Sequence, residues 1–401
     1  MDIFISKFNT TAEYITAKSS LLKPHVSLTK DSGNVHYDPI DYATKYLTFV
    51  ALENGTFTLN SDGDGDSIDY SLDGGETWTN LTSKTASPIV TAGNRIMWKG
   101  QLTPDTINIF ESTGRFNAEG NIMSILFDNN FEGQTDISDF QYGNAFEGTF
   151  SGNTNLVSAK NLSLPATAIF DRCYANMFYG CTSLTEAPKI LPATTLANYC
   201  YENMFSGCTG LTTAPELPAT TLAIECYNNM FNGCTSLTTA PELPATTLAG
   251  SCYFDMFYGC TSLTTAPELP ATTLAVSCYF NMFRDCTSLT TAPELPATTL
   301  ANSCYRQMFE GCTSLTTAPE LPAQALANNC YQYMFYGCTN LNYIKAMFTT
   351  TPSGSSPNYY TQNWVNGVAA TGTFVKNKAA TWNLRGVNGI PNNWTIETAS
   401  A

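Results

Sequence analysis

The chain has 401 residues, of which 13% are charged, with a formal net charge of −15. That length leaves room for two or three cores. The acidic balance offers no basic patch to release phosphate counterions, which excludes nucleic acid as a partner, and no run of about 18 apolar residues is present to insert in a membrane.

Residues 1–44 alternate apolar and polar positions around Asp31-Ser32-Gly33-Asn34. They read as a short helix or arm over residues 10–20 followed by a hairpin. The start lacks a continuous apolar core and a small-residue cleavage site, so it is not a secretory signal. The stretches FNTTAEY (8–14), PHVSL (24–28) and GNVHY (33–37) resemble the N-terminal segments of structural proteins in crAss-like phages of gut Bacteroidales. That resemblance covers about a tenth of the chain. It implies that residues 1–44 anchor or assemble the protein against other virion proteins.

Residues 45–125 predict an all-β, sandwich-like domain with strands in YLTFVAL, GTFTLN, SIDYSL, PIVTA, NRIMWKG and INIF. Ser71-Leu72-Asp73-Gly74-Gly75-Glu76-Thr77-Trp78 resembles the Asp-box of sialidases. A propeller carries several such boxes and this chain has one, so a structural hairpin is expected, with Asp-Gly-Gly as its turn. Asp62, Asp64 and Asp66 alternate like the carboxylates of a calcium loop. Ser67 and Asp73 stand where an EF-hand loop needs glycine and glutamate, so a solvated hairpin tip is the expectation, with calcium binding as the alternative.

From Cys173 the chain repeats itself. The first cysteine of each copy is Cys173, Cys200, Cys226, Cys252, Cys278, Cys304 or Cys330, and a second follows eight residues later. A period of 26 residues signals a solenoid whose units bury their apolar faces against their neighbours. Relative to Cys200, the apolar Leu196, Ala197, Tyr201, Met204 and Phe205 sit at −4, −3, +1, +4 and +5, the spacing of one helix face. Thr194 or Thr195 could cap that helix and Gly207 could end it. A short strand over residues 209–213 completes an α/β unit of one strand and one helix. Positions −2, −1, +2, +3 and +6 vary between copies and fall on the opposite half. On that half Phe254, Phe280, Arg306 and Tyr333 are the candidate ligand-contact residues. Residues 126–172 read as a worn first repeat in which Asn153 replaces cysteine, so the solenoid is set at residues 126–348.

All 14 cysteines lie in this lattice, where a small buried thiol is the expected role, with a disulfide framework as the alternative. Zinc is disfavoured by the spacing of eight and by the only histidines, His25 and His36, lying outside the repeats. Glu216, Glu242, Glu268, Glu294 and Glu320 form a ladder whose like charges should splay into water. Residues 349–401 pass through a Ser/Gly/Pro linker into a segment whose Trp364, Phe374, Trp382 and Trp394 suit a C-terminal cap, with an aromatic platform for a sugar as the alternative.

The motif MFxGCTSLTxAPxLPATTLA is similar to the BspA-like leucine-rich repeats of Bacteroides surface proteins and related mobile elements. The resemblance implies the solenoid fold and a role in adhesion, and it carries no catalytic residues to transfer. No catalytic constellation stands out, and no cofactor is expected. The leading expectation is a non-enzymatic virion structural or surface protein, expected to form a homo-oligomer, that binds a host surface protein or glycan. The alternatives are a bacterial cell-surface adhesin of the BspA-like kind and, more remotely, a carbohydrate-active enzyme.

Overall fold

The computed structural model describes residues 26–31, 34–39, 41–63, 66–102, 108–138, 145–357 and 359–399. Strands β1 (Val26–Asp31) and β2 (Asn34–Pro39) form the expected antiparallel hairpin, closing at Asp31 and Asn34. The expected arm over residues 10–20 lies outside the described residues, as do residues 8–14 and Pro24 and His25 of the phage-like stretches.

Seven strands follow: β3 (Leu47–Ala51), β4 (Phe57–Ser61), β5 (Ser67–Ser71), β6 (Thr79–Thr82), β7 (Arg95–Lys99), β8 (Asn108–Ser112) and β9 (Phe116–Asn121). A one-turn helix, α1 (Ser124–Phe127), and a strand β10 (Leu156–Ser163) come next. The main sheet has the order β10-β9-β3-β7-β5-β6, and β4 pairs with β8 apart from it. PIVTA forms no strand; it contributes a single bridge between Val90 and Gly55. Strands β6 and β9 were not anticipated: TNLT is four residues with a single apolar letter, and FNAEGN has no β-branched residue. Phe49 lies at the centre of the core, its ring 4.9–5.8 Å from those of Phe57, Trp98, Phe110, Phe116 and Phe150. Since Phe150 and β10 belong to the first repeat, this core runs without a break into the solenoid.

The seven coils from Cys173 to Cys338 contain no helix, which corrects the one-helix-per-repeat reading. The segment 199–208 is instead a ribbon of consecutive β-turns. The amides of Cys200, Glu202, Met204, Ser206 and Cys208 each donate to the carbonyl three residues back. Those of Tyr199, Tyr201, Asn203, Phe205 and Gly207 donate out of the coil, to Ile224, Cys226, Asn228, Met230 and Asn232 of the next. Every backbone donor is thereby satisfied, half of them by the neighbour. The cause lies in the dihedrals. Tyr199, Asn203 and Gly207 have φ of +57°, +53° and +75°, and the same three positions are left-handed in every consensus coil. A left-handed residue at every fourth position cannot belong to an α-helix, whose chirality it opposes at about 1–2 kcal/mol per residue. Inward positions 0, +1, +4 and +5 recur with the same period of four, so the ribbon buries the letters a helix face would bury.

The expected strand is also reduced. Its place is held by single-residue parallel bridges, such as Glu186 to Thr213 to Thr239 and Thr195 to Thr221 to Thr247 to Thr273. Proline at residues 215 and 218 removes the donors a longer ladder would need. Strand pairing resumes at the far end, where β11 (Tyr343–Ala346), β12 (Thr373–Lys376) and β13 (Thr395–Thr398) form a parallel sheet.

Two ladders of rings run through the stack. Phe150, Phe178, Phe205, Phe231, Phe257, Phe283, Phe309 and Phe335 lie 5.2–5.8 Å apart, within 11° of parallel. Phe146 and the seven tyrosines from Tyr174 to Tyr331 form the second, at 5.2–6.1 Å. Each stacked pair contributes about 0.5–1.5 kcal/mol beyond its burial.

The second cysteine column has a specific task. The Sγ atoms of Cys181, Cys208, Cys234, Cys260, Cys286, Cys312 and Cys338 donate, at 2.9–3.1 Å, to the carbonyl of the core phenylalanine one coil back. In the first repeat Asn153 Nδ2 donates to the carbonyl of Phe110 at 2.9 Å, so the asparagine keeps the bond that the cysteine makes elsewhere. All 14 cysteines are free and buried. Burial pushes their thiols upward, to about 12 for Cys181, Cys260, Cys278 and Cys330.

Residues 360–367 are a further coil. The amides of Tyr331, Tyr333, Phe335 and Gly337 donate to the carbonyls of Tyr360, Gln362, Trp364 and Asn366. Trp364 replaces the methionine of the consensus. Trp364, Trp382 and Trp394 are buried, and each indole N–H donates to a backbone carbonyl: Gly389, Phe348 and Ala369. Rings so enclosed close the stack and offer no face to a sugar. No described helix is long and apolar enough to cross a membrane.

Candidate functional site

The Asp-box residues form a turn. Ser71 Oγ donates to Asp73 at 2.7 Å, the Thr77 amide donates to the same carboxylate at 2.9 Å, and Trp78 Nε1 donates to the Gly75 carbonyl at 3.1 Å. Hydrogen bonds from the hydroxyl and amide of Thr77 hold the Asp73 carboxyl well below its ordinary range. Its oxygens are spent on the hairpin, and Trp78 packs edge-on against Tyr46 at 4.9 Å. In the acidic loop the Asp66 carboxylate accepts from Ser61 Oγ, while Asp64 lies outside the described residues. No cluster of three metal-binding side chains occurs among the described residues.

A groove of about 460 Å³ runs between Asp41–Ala43, β10 and the start of the second coil. Lys160 on its wall is paired with Glu186 at 2.8 Å. The Glu ladder is exposed from Glu216 to Glu320, and Glu320 is paired with Lys345 at 2.9 Å.

The outward half of the ribbon carries the four candidate residues. Phe254 and Phe280, both at +2, stack at 4.6 Å and 10°. The Arg306 guanidinium, at +2 of the next coil, covers the other face of Phe280 at 4.9 Å. These three form one continuous stack. Tyr333 lies on the neighbouring +3 column and meets Tyr336 edge-on at 5.7 Å. It is close enough to act electrostatically on Arg306, together with Glu310.

Around the stack the structure adds residues that the sequence did not single out. Arg284 pairs with Glu310 at 3.0 Å, and Gln307 Nε2 donates to the other Glu310 oxygen at 2.6 Å. Burial raises the Asp255 carboxyl to about 6, opposed by a hydrogen bond from Asn281 and by the charge of Arg284. Burial also lowers the Arg306 guanidinium. Nine buried side-chain polar atoms among the described residues have no hydrogen-bond partner. Five belong to this strip: Asp255 Oδ1, Asn281 Oδ1, Arg284 Nε, Arg306 Nε and Gln332 Oε1. Buried polar atoms in native proteins are nearly always partnered, and more than half of the exceptions among the described residues lie in these few coils. The signal that could have found it is the +3 column, Asn176, Asn203, Asn229, Asp255 and Asn281. Asn and Asp are the side-chain residues that best tolerate φ above zero.

A family model described as BspA type leucine rich repeat region matches six copies over residues 120–238, 154–290 and 251–363. The chain belongs to the BspA-type leucine-rich-repeat family. A crystal structure of a leucine-rich repeat protein from Bacteroides ovatus ATCC 8483 is similar over 84% of this chain and 100% of its own. Its sequence identity is 17% and its TM-score 0.31. None of the curated proteins compared with the chain matches it.

Proposed function

We propose that this member of the BspA-type family is a non-enzymatic adhesin displayed at a bacterial cell surface. The observation that carries the reading is the division of each coil, inwardly uniform and outwardly varied. The inner letters are consumed by packing, and the outer ones gather an aromatic and arginine strip in which five buried polar atoms lack partners. Aromatic residues and arginine dominate the energetics of protein interfaces. Family membership supports display on a cell, and the resemblance of the N-terminal stretches to phage proteins is not matched by any comparison.

Two measurements test it. Protease treatment of intact producing cells should release peptides of the 252–336 region, while purified virions should lack the chain. Beads coated with the protein should adhere to host epithelial cells or their matrix above the level of albumin-coated beads. Adhesion no better than albumin, or recovery of the chain from virions only, would overturn the proposal.

A further inference from the structure

We propose that the outward strip of the coils from Phe254 to Tyr333 docks an acidic peptide segment of a partner protein. Arg306 receives a carboxylate, and the rings of Phe254 and Phe280 meet the peptide edge-on. This rests on the adhesin reading and gives its partner a chemistry.

Charge is the first ground. Between residues 200 and 338 the chain holds ten acidic side chains and two basic ones, Arg284 and Arg306. Both basic residues lie in adjacent coils of this strip. Glu310, the carboxylate within reach of both, has one oxygen on Arg284 and the other on Gln307. Arg306 is thus left, among the described residues, with no salt bridge and only the Phe280 ring beneath it. A half-buried cation whose nearest carboxylate is held by Arg284 and Gln307 carries an unmet demand for a counter-charge. A carboxylate from outside would remove it.

Ring geometry is the second ground, and it separates a peptide from an acidic sugar. A sugar stacks on a free aromatic face. Here Phe254 covers one face of Phe280 and Arg306 covers the other. What the strip presents are ring edges, which carry partial positive charge and attract carboxylate and carbonyl oxygens.

The test uses the full chain and a fluorescein-labelled peptide alternating Glu and Leu, read by anisotropy. A Gln–Leu peptide and polygalacturonate serve as the comparison probes. The Glu peptide should bind, the Gln peptide should not, and Arg306→Gln should weaken binding about tenfold or more, as expected for loss of a charge-assisted pair. The melting temperature of Arg306→Gln should stay at that of the wild type, because the guanidinium has no salt bridge to lose. As an independent variant, Phe254→Asp sets a like charge in the strip and should abolish binding. Glu268→Gln, on the ladder away from the strip, should leave it unchanged. Equal binding of the two peptides, undiminished binding to both strip variants, or Arg306-dependent binding of polygalacturonate without binding of the peptide overturns the proposal. If coated beads adhere while the Glu peptide does not bind, the adhesin reading stands and this strip is not its site. If neither occurs, both fall.

Discussion

The two sides of one turn ribbon obey different rules. On the inner side, Cys, Tyr, Met, Phe and Cys recur in every consensus coil and are almost fully enclosed. Each is fixed by the identical residue above and below it. The outer side varies, but not freely: at −1 and +3 the backbone is left-handed in each coil, and Asn or Asp, which tolerate that conformation best, hold +3 from Asn176 to Asn281. Positions −2, +2 and +6 escape both constraints, and the last two hold Phe254, Phe280, Arg306, Arg284 and Glu310. A solenoid can thus keep its shape constant while writing a local chemistry on one strip.

The contrast can be broken at several depths. Truncating an inner rung should have the largest effect. Phe257→Ala removes a ring stacked on both neighbours and should cost about 3–5 kcal/mol in chemical denaturation. The Sγ–H column is next. Asn153→Ala leaves the Phe110 carbonyl without its side-chain donor and should cost about 1–3 kcal/mol. Asn153→Cys, which restores the consensus letter, should cost less in the same titration.

Backbone handedness offers a third point of attack. A Cβ at Gly311 would lie 2.1 Å from Asp285 Oδ1, in a residue with φ of +74°. Gly311→Ala should therefore destabilise by about 1–2 kcal/mol from the left-handed conformation alone. Asp285→Gly should recover any excess that comes from the clash, giving a non-additive double-mutant cycle.

The smallest effect is a pH dependence on the outer side. Asp255 is raised to about 6, so the folded chain holds a proton that the unfolded chain has released. The stability this gives is complete below the ordinary carboxylate value and is lost as pH rises from about 4 to about 6. Solvent near the group limits the loss to ~1 kcal/mol. Asp255→Asn should flatten that part of the stability-versus-pH curve.

Much of this was legible in the letters. Exact repetition gave the solenoid, its register and the buried cysteine lattice, since a position identical in seven copies is constrained by its own image. The Asp-box turn was legible as well, because Asp73, Gly74 and Gly75 encode local geometry. The helix was misread for a definite reason. Apolar residues at 0, +1, +4 and +5 suit an α-helix and a ribbon with a period of four equally well. The discriminating letters were Asn203 and Gly207, four apart and both left-handed. Among the candidate contact residues, columns could be assigned from the period, which placed Phe254, Phe280 and Arg306 in one file. That their faces cover one another, and that Glu310 turns to Arg284 rather than Arg306, depended on side-chain packing that no periodicity encodes.

Far-ultraviolet circular dichroism of the full chain tests the central structural claim most directly. A stack of turn ribbons held by inter-coil hydrogen bonds should lack the paired minima of an α-helix. A spectrum with helical minima strong enough for one helix in each of the seven consensus coils would contradict it.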